Sequence, residues 1–372
     1  MKRFARIGAA SGLLILSGVL ISLLSAALQP ALAFTGGSRI RILSGLPPGG
    51  GHDIEGRLIA RWIGKYLPAE PKAIIKINMP GAAGLIMTAH FYQKAKPDGL
   101  TWSVMGTTQT ATQALEGTPD NWNLLKMPLL FTHTGPGAAI VRDFLGVKEP
   151  ADLLKIDGSK IVVSGRIMGE ASSMADVLGL ELLGIKGYKY VVGYPGSALM
   201  ARAFFSGEVS YVGGTGLHHA LGTSGLYHSA IEEGRAHLLW QTGVMTPEGK
   251  VVRSPGTDVP TLAEVYQKIH GKAPSGPIWE AYKLTGPITR TLNRYVVLPP
   301  GVPQDRVELL RQAFQKLYSD PAFIKEWEKI FGLKLDFIPG KGADKILKSL
   351  LEPSPGWEFI ENEYLPKLKA AQ

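Results

Sequence analysis

The residues with the most chemical promise form one run, Ser44-Gly45-Leu46-Pro47-Pro48-Gly49-Gly50-Gly51-His52-Asp53. A β-like stretch, 39–43, precedes it, and apolar residues at helical spacing follow over 54–66. A strand, a glycine turn and a helix start gather backbone N–H groups at the positive end of a helix dipole. Such a nest holds anions, of which small carboxylates and phosphates are the usual guests. Three consecutive glycines permit positive φ and let a ligand approach the main chain closely. Asp53 is placed to cap the helix by accepting free N–H groups of its first turn. A plain tight turn into a helix would read the same from this segment alone.

The device recurs along the chain. Pro80-Gly81-Ala82-Ala83-Gly84 lies between a strand over 73–78 and a helix over 85–94. Gly106-Thr107-Thr108 follows a strand over 100–105. The loop 165–173, with Arg166, Glu170, Ala171, Ser172 and Ser173, joins a strand over 160–164 to a helix over 174–183. Gly193-Tyr194-Pro195-Gly196-Ser197 follows 188–192, and Gly213-Gly214-Thr215-Gly216 follows 209–212. Arg166, in a cleft loop, is positioned for direct contact with a carboxylate. Arg57 and Arg61, one turn apart, read as solvent-facing or paired across the surface, and Trp102 reads as core.

Catalytic alternatives find little support. There is no Gly-x-Ser-x-Gly elbow and no cysteine. His218 and His219, with His228 or His237, lack carboxylates at metal-ligand spacing and read as helix or loop surface. The first loop lacks the Gly-Lys-Ser/Thr ending of a nucleotide cradle and the spaced third glycine of a dinucleotide fold. No cofactor and no metal are expected.

Serial strand–loop–helix units predict an α/β fold with parallel strands and right-handed crossovers. Ligands of such sheets sit beyond the carboxyl ends of the strands, where these loops gather. Strands over 129–132 and 138–142 carry the chain into a second lobe, and 236–242 begins its return. The polar stretch 246–258 reads as mobile turns. A helix over 262–269, a strand over 295–298 and an amphipathic helix over 304–318 follow. Asp320 then caps a helix with Pro321 at its first position and Phe323, Trp327 and Ile330 on its buried face.

Lys2, Arg3 and Arg6 followed by the apolar run 7–32 and Ala31-Leu32-Ala33 form a cleavable export signal over 1–33. The run is also long enough to serve as an uncleaved anchor. Absence of cysteine suits an oxidising compartment and points to the periplasm. Without those three cations the 40 basic residues become 37 against 31 acids, a balance of +6 over the remaining 339 residues, enough for two domains. The cations are scattered, which argues against nucleic acid and suits a small anion.

Six motifs in register now carry a resemblance. They are Pro48-Gly49-Gly50-Gly51-His52-Asp53, Pro80-Gly81-Ala82-Ala83-Gly84, Pro97-Asp98-Gly99, Tyr194-Pro195-Gly196, Ser206-Gly207-Glu208-Val209 and 258–264. Over roughly 39–350 the chain resembles the extracytoplasmic solute receptors of tripartite tricarboxylate transporters, the Bug-type receptors. The resemblance implies a two-lobed, type II-like periplasmic-binding-protein architecture: mixed, mainly parallel sheets flanked by helices, with a hinge. The expected lobes are 34–137 plus 243–372 and 138–242. It implies a monomer, without catalysis, that closes on a small carboxylate and delivers it to cognate membrane permease subunits. An extracytoplasmic sensor coupled to a signalling partner is the alternative. By position, the ligand residues are Gly50, Gly51, His52, Asp53, Thr107, Thr108, Glu170, Ala171, Ser172, Ser173, Tyr194, Pro195 and Gly196, with Arg166 and Thr215 added as cleft-loop candidates.

The chain differs from the family at three places. His52 stands where threonine or serine is common and could add a proton-dependent contact. Ser210 replaces an aspartate. Gly213-Gly214-Thr215 replaces a segment that often carries an acid, which disfavours an α-amino acid ligand. The segment 272–291 is longer than usual and receives no role.

Overall fold

The computed structural model describes residues 37–223, 225–246 and 249–370. The expected export signal, 1–33, lies outside the described residues. Among those residues no helix is long and apolar enough to cross a membrane.

The first sheet grows from alternating residues. In β1 (Arg39–Ser44), Ile40 and Ile42 are buried on one face while Arg39 and Arg41 are exposed on the other. β1 pairs in parallel with β2 (Ala73–Asn78) and β3 (Thr101–Gly106). β4 (Leu129–His133) ends this series, and the chain crosses to β5 (Ala138–Arg142). The second sheet adds β6 (Val162–Gly165), β7 (Lys189–Val192), β8 (Tyr211–Val212) and β9 (Ala236–Gln241) in the order β7-β6-β8-β5-β9. A short hairpin, β10 (Val244–Met245) with β11 (Val251–Val252), occupies part of the stretch read as mobile turns.

The return strand β12 (Arg294–Val297) inserts antiparallel between β3 and β4, with β13 (Phe337–Pro339) at the edge. The first sheet therefore runs β13-β4-β12-β3-β1-β2. Four of its six strands point the same way, with β12 and β13 opposed, as do four of five in the second sheet, with β5 opposed. Both sheets place the first unit between the second and third. The loops that follow the parallel strands consequently leave from one end of each sheet.

Five helices start at these loops: α1 (Gly51–Trp62), α2 (Leu85–Lys94), α3 (Thr107–Glu116), α4 (Ala171–Leu182) and α5 (Ser197–Ser206). α3 was not read from the sequence. Its threonines and glutamines carry no apolar period, yet the helix is buried between lobes and takes its order from packing.

Ile42, Leu58, Trp102, Phe131 and Phe314 pack one face of the first sheet. Leu43, Met87, Phe91, Met105 and Tyr295 pack the other. Val163, Val177, Leu178, Tyr211 and Trp240 form a second-lobe core that also takes in Leu262, Tyr282, Trp357, Ile360 and Tyr364. The helices near the C-terminus thus ride on the second sheet. The Asp320 cap is present, its carboxylate accepting the Ala322 N–H at 2.7 Å, and Phe323 and Trp327 are buried.

Candidate functional site

Four helix starts converge where the two sheets face each other. At α1, only Gly49 of the three glycines needs positive φ, at +83°. Gly50 is extended, and its carbonyl accepts the Asp53 and Ile54 N–H groups at 3.0 Å. The Gly51 and His52 amides are left at the open end of the helix. Gly51 is required by proximity: a Cβ there would lie 2.6 Å from Arg294 Nη1 and 2.8 Å from His218 Nε2.

Across the gap, Thr107 Oγ1 and Ser172 Oγ share a hydrogen bond of 2.8 Å. Thr108 Oγ1 donates to Glu170 Oε1 at 3.4 Å, and Arg166 Nη1 donates to the same oxygen. Arg166 Nη2 also reaches the Gly214 carbonyl at 3.4 Å. At the rim, a Cβ on Gly196 would come within 2.9 Å of Pro47 Cδ. The loops before α1, α3, α4 and α5 therefore touch in pairs across the two lobes.

Not every expected residue turns inward. Asp53 does not cap α1; its Oδ2 accepts the Gly49 N–H at 3.1 Å and Arg57 Nε at 2.9 Å, and Lys76 Nζ lies 3.5 Å from Oδ1. The turn before the helix claims it. Ala171 is absorbed by the second core. Ser173 Oγ bonds the Tyr190 hydroxyl at 2.6 Å, inside the second lobe. Tyr194 points its hydroxyl to Glu208 Oε1 at 2.5 Å, and Pro195 is exposed. Thr215 is buried at the crossover; its carbonyl accepts the Ala138 N–H at 3.2 Å, while its Oγ1 has no partner among the described residues.

His52 packs its ring against Gly106, where a Cβ would lie 2.5 Å from Nε2. Burial, then the nearby Arg294 and Arg166 charges, holds His52 well below the usual imidazole range. It is neutral at physiological pH, so the proton-dependent contact expected there is corrected. His218 and His219 correct a second expectation. They are buried, not on the surface, with ring centroids 4.0 Å apart. Burial first, and then each ring's charged neighbours, lowers both, His219 to about 3. Among the described residues, no cluster of three or more His, Cys, Asp or Glu could hold a metal ion.

Sequence reading missed the most telling group. Arg290, in the segment 272–291 that received no role, is buried with 4% of its surface exposed. Its Nη2 donates to the Thr215 carbonyl at 3.3 Å, and its Nε has no partner. No carboxylate forms an ion pair with it among the described residues. Burial draws its guanidinium down to about 10, so it stays charged at neutral pH. Glu170 Oε2, Arg166 Nε, His218 Nε2 and His219 Nδ1 are likewise buried without hydrogen-bond partners among the described residues. Buried polar groups in folded proteins are normally satisfied, so such a concentration at one place is unusual. No local signal in the sequence distinguishes Arg290 from an exposed arginine.

A neighbouring cluster anchors α1. Glu55 accepts Tyr318 Oη at 2.6 Å, His133 Nε2 at 2.8 Å and Trp327 Nε1 at 3.2 Å, with Arg294 at 3.4 Å. Arg294 Nη1 in turn donates to the Gly51 carbonyl at 2.8 Å. The glycine loop is thereby tied to the return strand.

No protein-family model and no curated protein matches this sequence. Solved structures do match. The periplasmic binding protein BugD aligns with a TM-score of 0.63 at 18% identity, over 90% of this chain and 97% of that one. The chain shares the Bug-type periplasmic-binding-protein fold. Two Rhodopseudomonas palustris proteins align over 90% of this chain at 18% identity: MatC with bound malate, over 98% of its length with a TM-score of 0.59, and Rpa4515 with adipate, over 97% with a TM-score of 0.61. In this Bug-type fold, two sheets present their helix starts to one another, and the buried polar groups lie between them.

Replacing Ser172 by tryptophan tests this closure. The indole has no room beside Thr107, so the lobes should stay apart, raising the radius of gyration in solution scattering and abolishing ligand binding. Far-ultraviolet circular dichroism should not change. Unchanged scattering and affinity would remove Ser172 from the interface.

Proposed function

We propose that this protein is an exported, non-catalytic receptor that captures a small carboxylate between two lobes. It then delivers the solute to membrane permease subunits of the tripartite tricarboxylate type. The observation that carries the reading is Arg290, a buried cation that forms no ion pair among the described residues, set among helix starts that favour negative charge. Malate and adipate in two structures of the same fold support the ligand class. We keep the lobes as 34–137 with 243–372 and 138–242; residues of 262–284 and 355–370 pack against the second-sheet core. The periplasm is the proposed location.

Thermal-shift screening of the exported protein against a carboxylate panel tests the reading. A ligand at a hundred times its Kd adds about 2.7 kcal/mol to stability. If sugars or polyamines raise the melting temperature and no carboxylate does, the reading fails.

Asp176 predicts how capture varies with pH. It lies one turn beyond Ser172 on α4, accepting the Gly214 N–H at 2.7 Å and Tyr211 Oη at 3.1 Å. Burial pushes its carboxyl up to about 7, against the opposing pull of that N–H, Arg290 and Tyr211. Below that value it is neutral and Arg290 faces an incoming anion without competition. Carboxylate affinity should therefore rise as pH falls from 8 to 6, and Asp176→Asn should flatten this slope. Titration calorimetry at both pH values reads it; an equal slope in the variant would exclude Asp176. The same shift makes the folded protein less stable as pH rises from the ordinary value of 3.8 towards 7, because only the folded state keeps the proton.

A further inference from the structure

The face of the first sheet that carries Arg39 and Arg41 is incompletely covered. Parallel strands are normally buried on both faces by helices. Here α2 closes only the end near Leu43 and Phe91, where the apolar core forms. The remainder is a concavity of about 510 Å³ with Arg39, Arg41, Lys94 and Lys96 around it and Leu43 and Phe91 in its lining. All four cationic residues are exposed. None forms an ion pair among the described residues. Asp98, the acid in the lining, accepts the Leu100 N–H on its Oδ1 at 2.9 Å.

Four like charges around one concavity repel each other and focus a positive potential into it. Residues 1–36 contain no Asp or Glu, so that part of the chain cannot supply the missing countercharge. Arg39 and Arg41 are two apart on one strand, about 6.7 Å along it, and point to the same side. That spacing lets two guanidinium forks meet on one tetrahedral oxyanion, the geometry arginine provides for phosphate. The apolar lining accepts an organic body next to it, and the volume falls within the range of small-molecule sites.

We propose that this concavity is a second binding site, for a soluble phosphate ester with an apolar body. It lies along the outer face of β1 from Arg39 to Leu43, and none of its lining residues belongs to the loops that meet between the lobes. The site stands independently of the carboxylate reading.

Titration calorimetry of the full chain with naphthyl phosphate tests the proposal. One saturable site is expected, tighter than for either inorganic phosphate or naphthol alone, and weaker in high salt. Arg39→Gln with Arg41→Gln should weaken it at least tenfold. Lys316→Gln with Lys325→Gln, which removes the same charge from exposed positions on two other helices, should leave it unchanged. Arg290→Met should also leave it unchanged, separating the site from the cleft. Circular dichroism confirms that each variant folds. Absence of saturable binding to the parent, or equal weakening by both double substitutions, would overturn the assignment. So would binding to phosphatidylglycerol vesicles without binding to naphthyl phosphate, which would make the face a membrane contact.

Discussion

Arg290→Met is expected to remove carboxylate binding while leaving the empty protein at least as stable as its parent. Truncating one partner of a desolvated charge pair costs about 2–5 kcal/mol of binding, roughly thirtyfold or more in Kd. In the empty protein the same guanidinium is buried without an ion pair among the described residues, a costly arrangement that an apolar side chain of similar length relieves. The Thr215 carbonyl keeps its hydrogen bond from Ala138 when Arg290 is gone. Binding and stability should therefore move in opposite directions, a pattern that simple loss of structure does not produce. Calorimetric titration beside a urea melt measures both. Retained affinity would place the ligand away from Arg290, and a large fall in stability would make the arginine a structural element instead.

The second large effect concerns Glu55, and its sign is the reverse. Burial alone would raise this carboxyl. The fields of His133 and Arg294, with hydrogen bonds from His133 and Tyr318, outweigh burial and hold it at about 2. Its folded value thus lies below its ordinary value of 4.5. The resulting stability is fully present above pH 4.5 and is lost as pH falls from there through 2. A shift of that size corresponds to about 3 kcal/mol. Glu55→Leu leaves Arg294 buried and three donors without their acceptor, and should cost about 3–5 kcal/mol at neutral pH. Tyr318→Phe, which removes one donor only, should cost about 1.5–3 kcal/mol. Urea melts at pH 7 and pH 3 test both: the gap between parent and Glu55→Leu should narrow at the lower pH. A gap that stays constant would show that the carboxylate's charge is not what stabilises the fold.

The two substitutions separate two uses of buried charge. Glu55 fixes the loop by holding Arg294, which holds the Gly51 carbonyl. Arg290 remains available for a partner from outside. Arg290 and Arg294 both lie on a segment distant in sequence from the glycine loop, whereas Glu55 is on the helix that the loop opens.

What the sequence alone determined is local. Alternation in Arg39–Ser44 and isoleucine content in Ala73–Asn78 set strands because the period of side-chain burial is a property of a few neighbouring residues. Glycine turns, the Asp320 cap and Pro321 marked helix ends for the same reason. The order of strand–loop–helix units then limited the fold to two α/β lobes, and the loop candidates Gly51, Thr107, Thr108, Arg166, Glu170 and Ser172 do meet where those lobes face each other.

Tertiary structure decided which side chains those loops expose to one another. Asp53 and Ser173 had the right type and position but were claimed by Arg57, Lys76 and Tyr190, groups whose proximity depends on packing. His218 is buried beside Gly51 and Phe331, and His219 beside Tyr227, neighbours that only folding brings near. Glu55 is joined to Trp327 across 272 residues. Arg290 acquires its meaning from burial without an ion pair among the described residues. Desolvation and pairing are sums over all the groups folding brings near, and no window of neighbouring residues contains them.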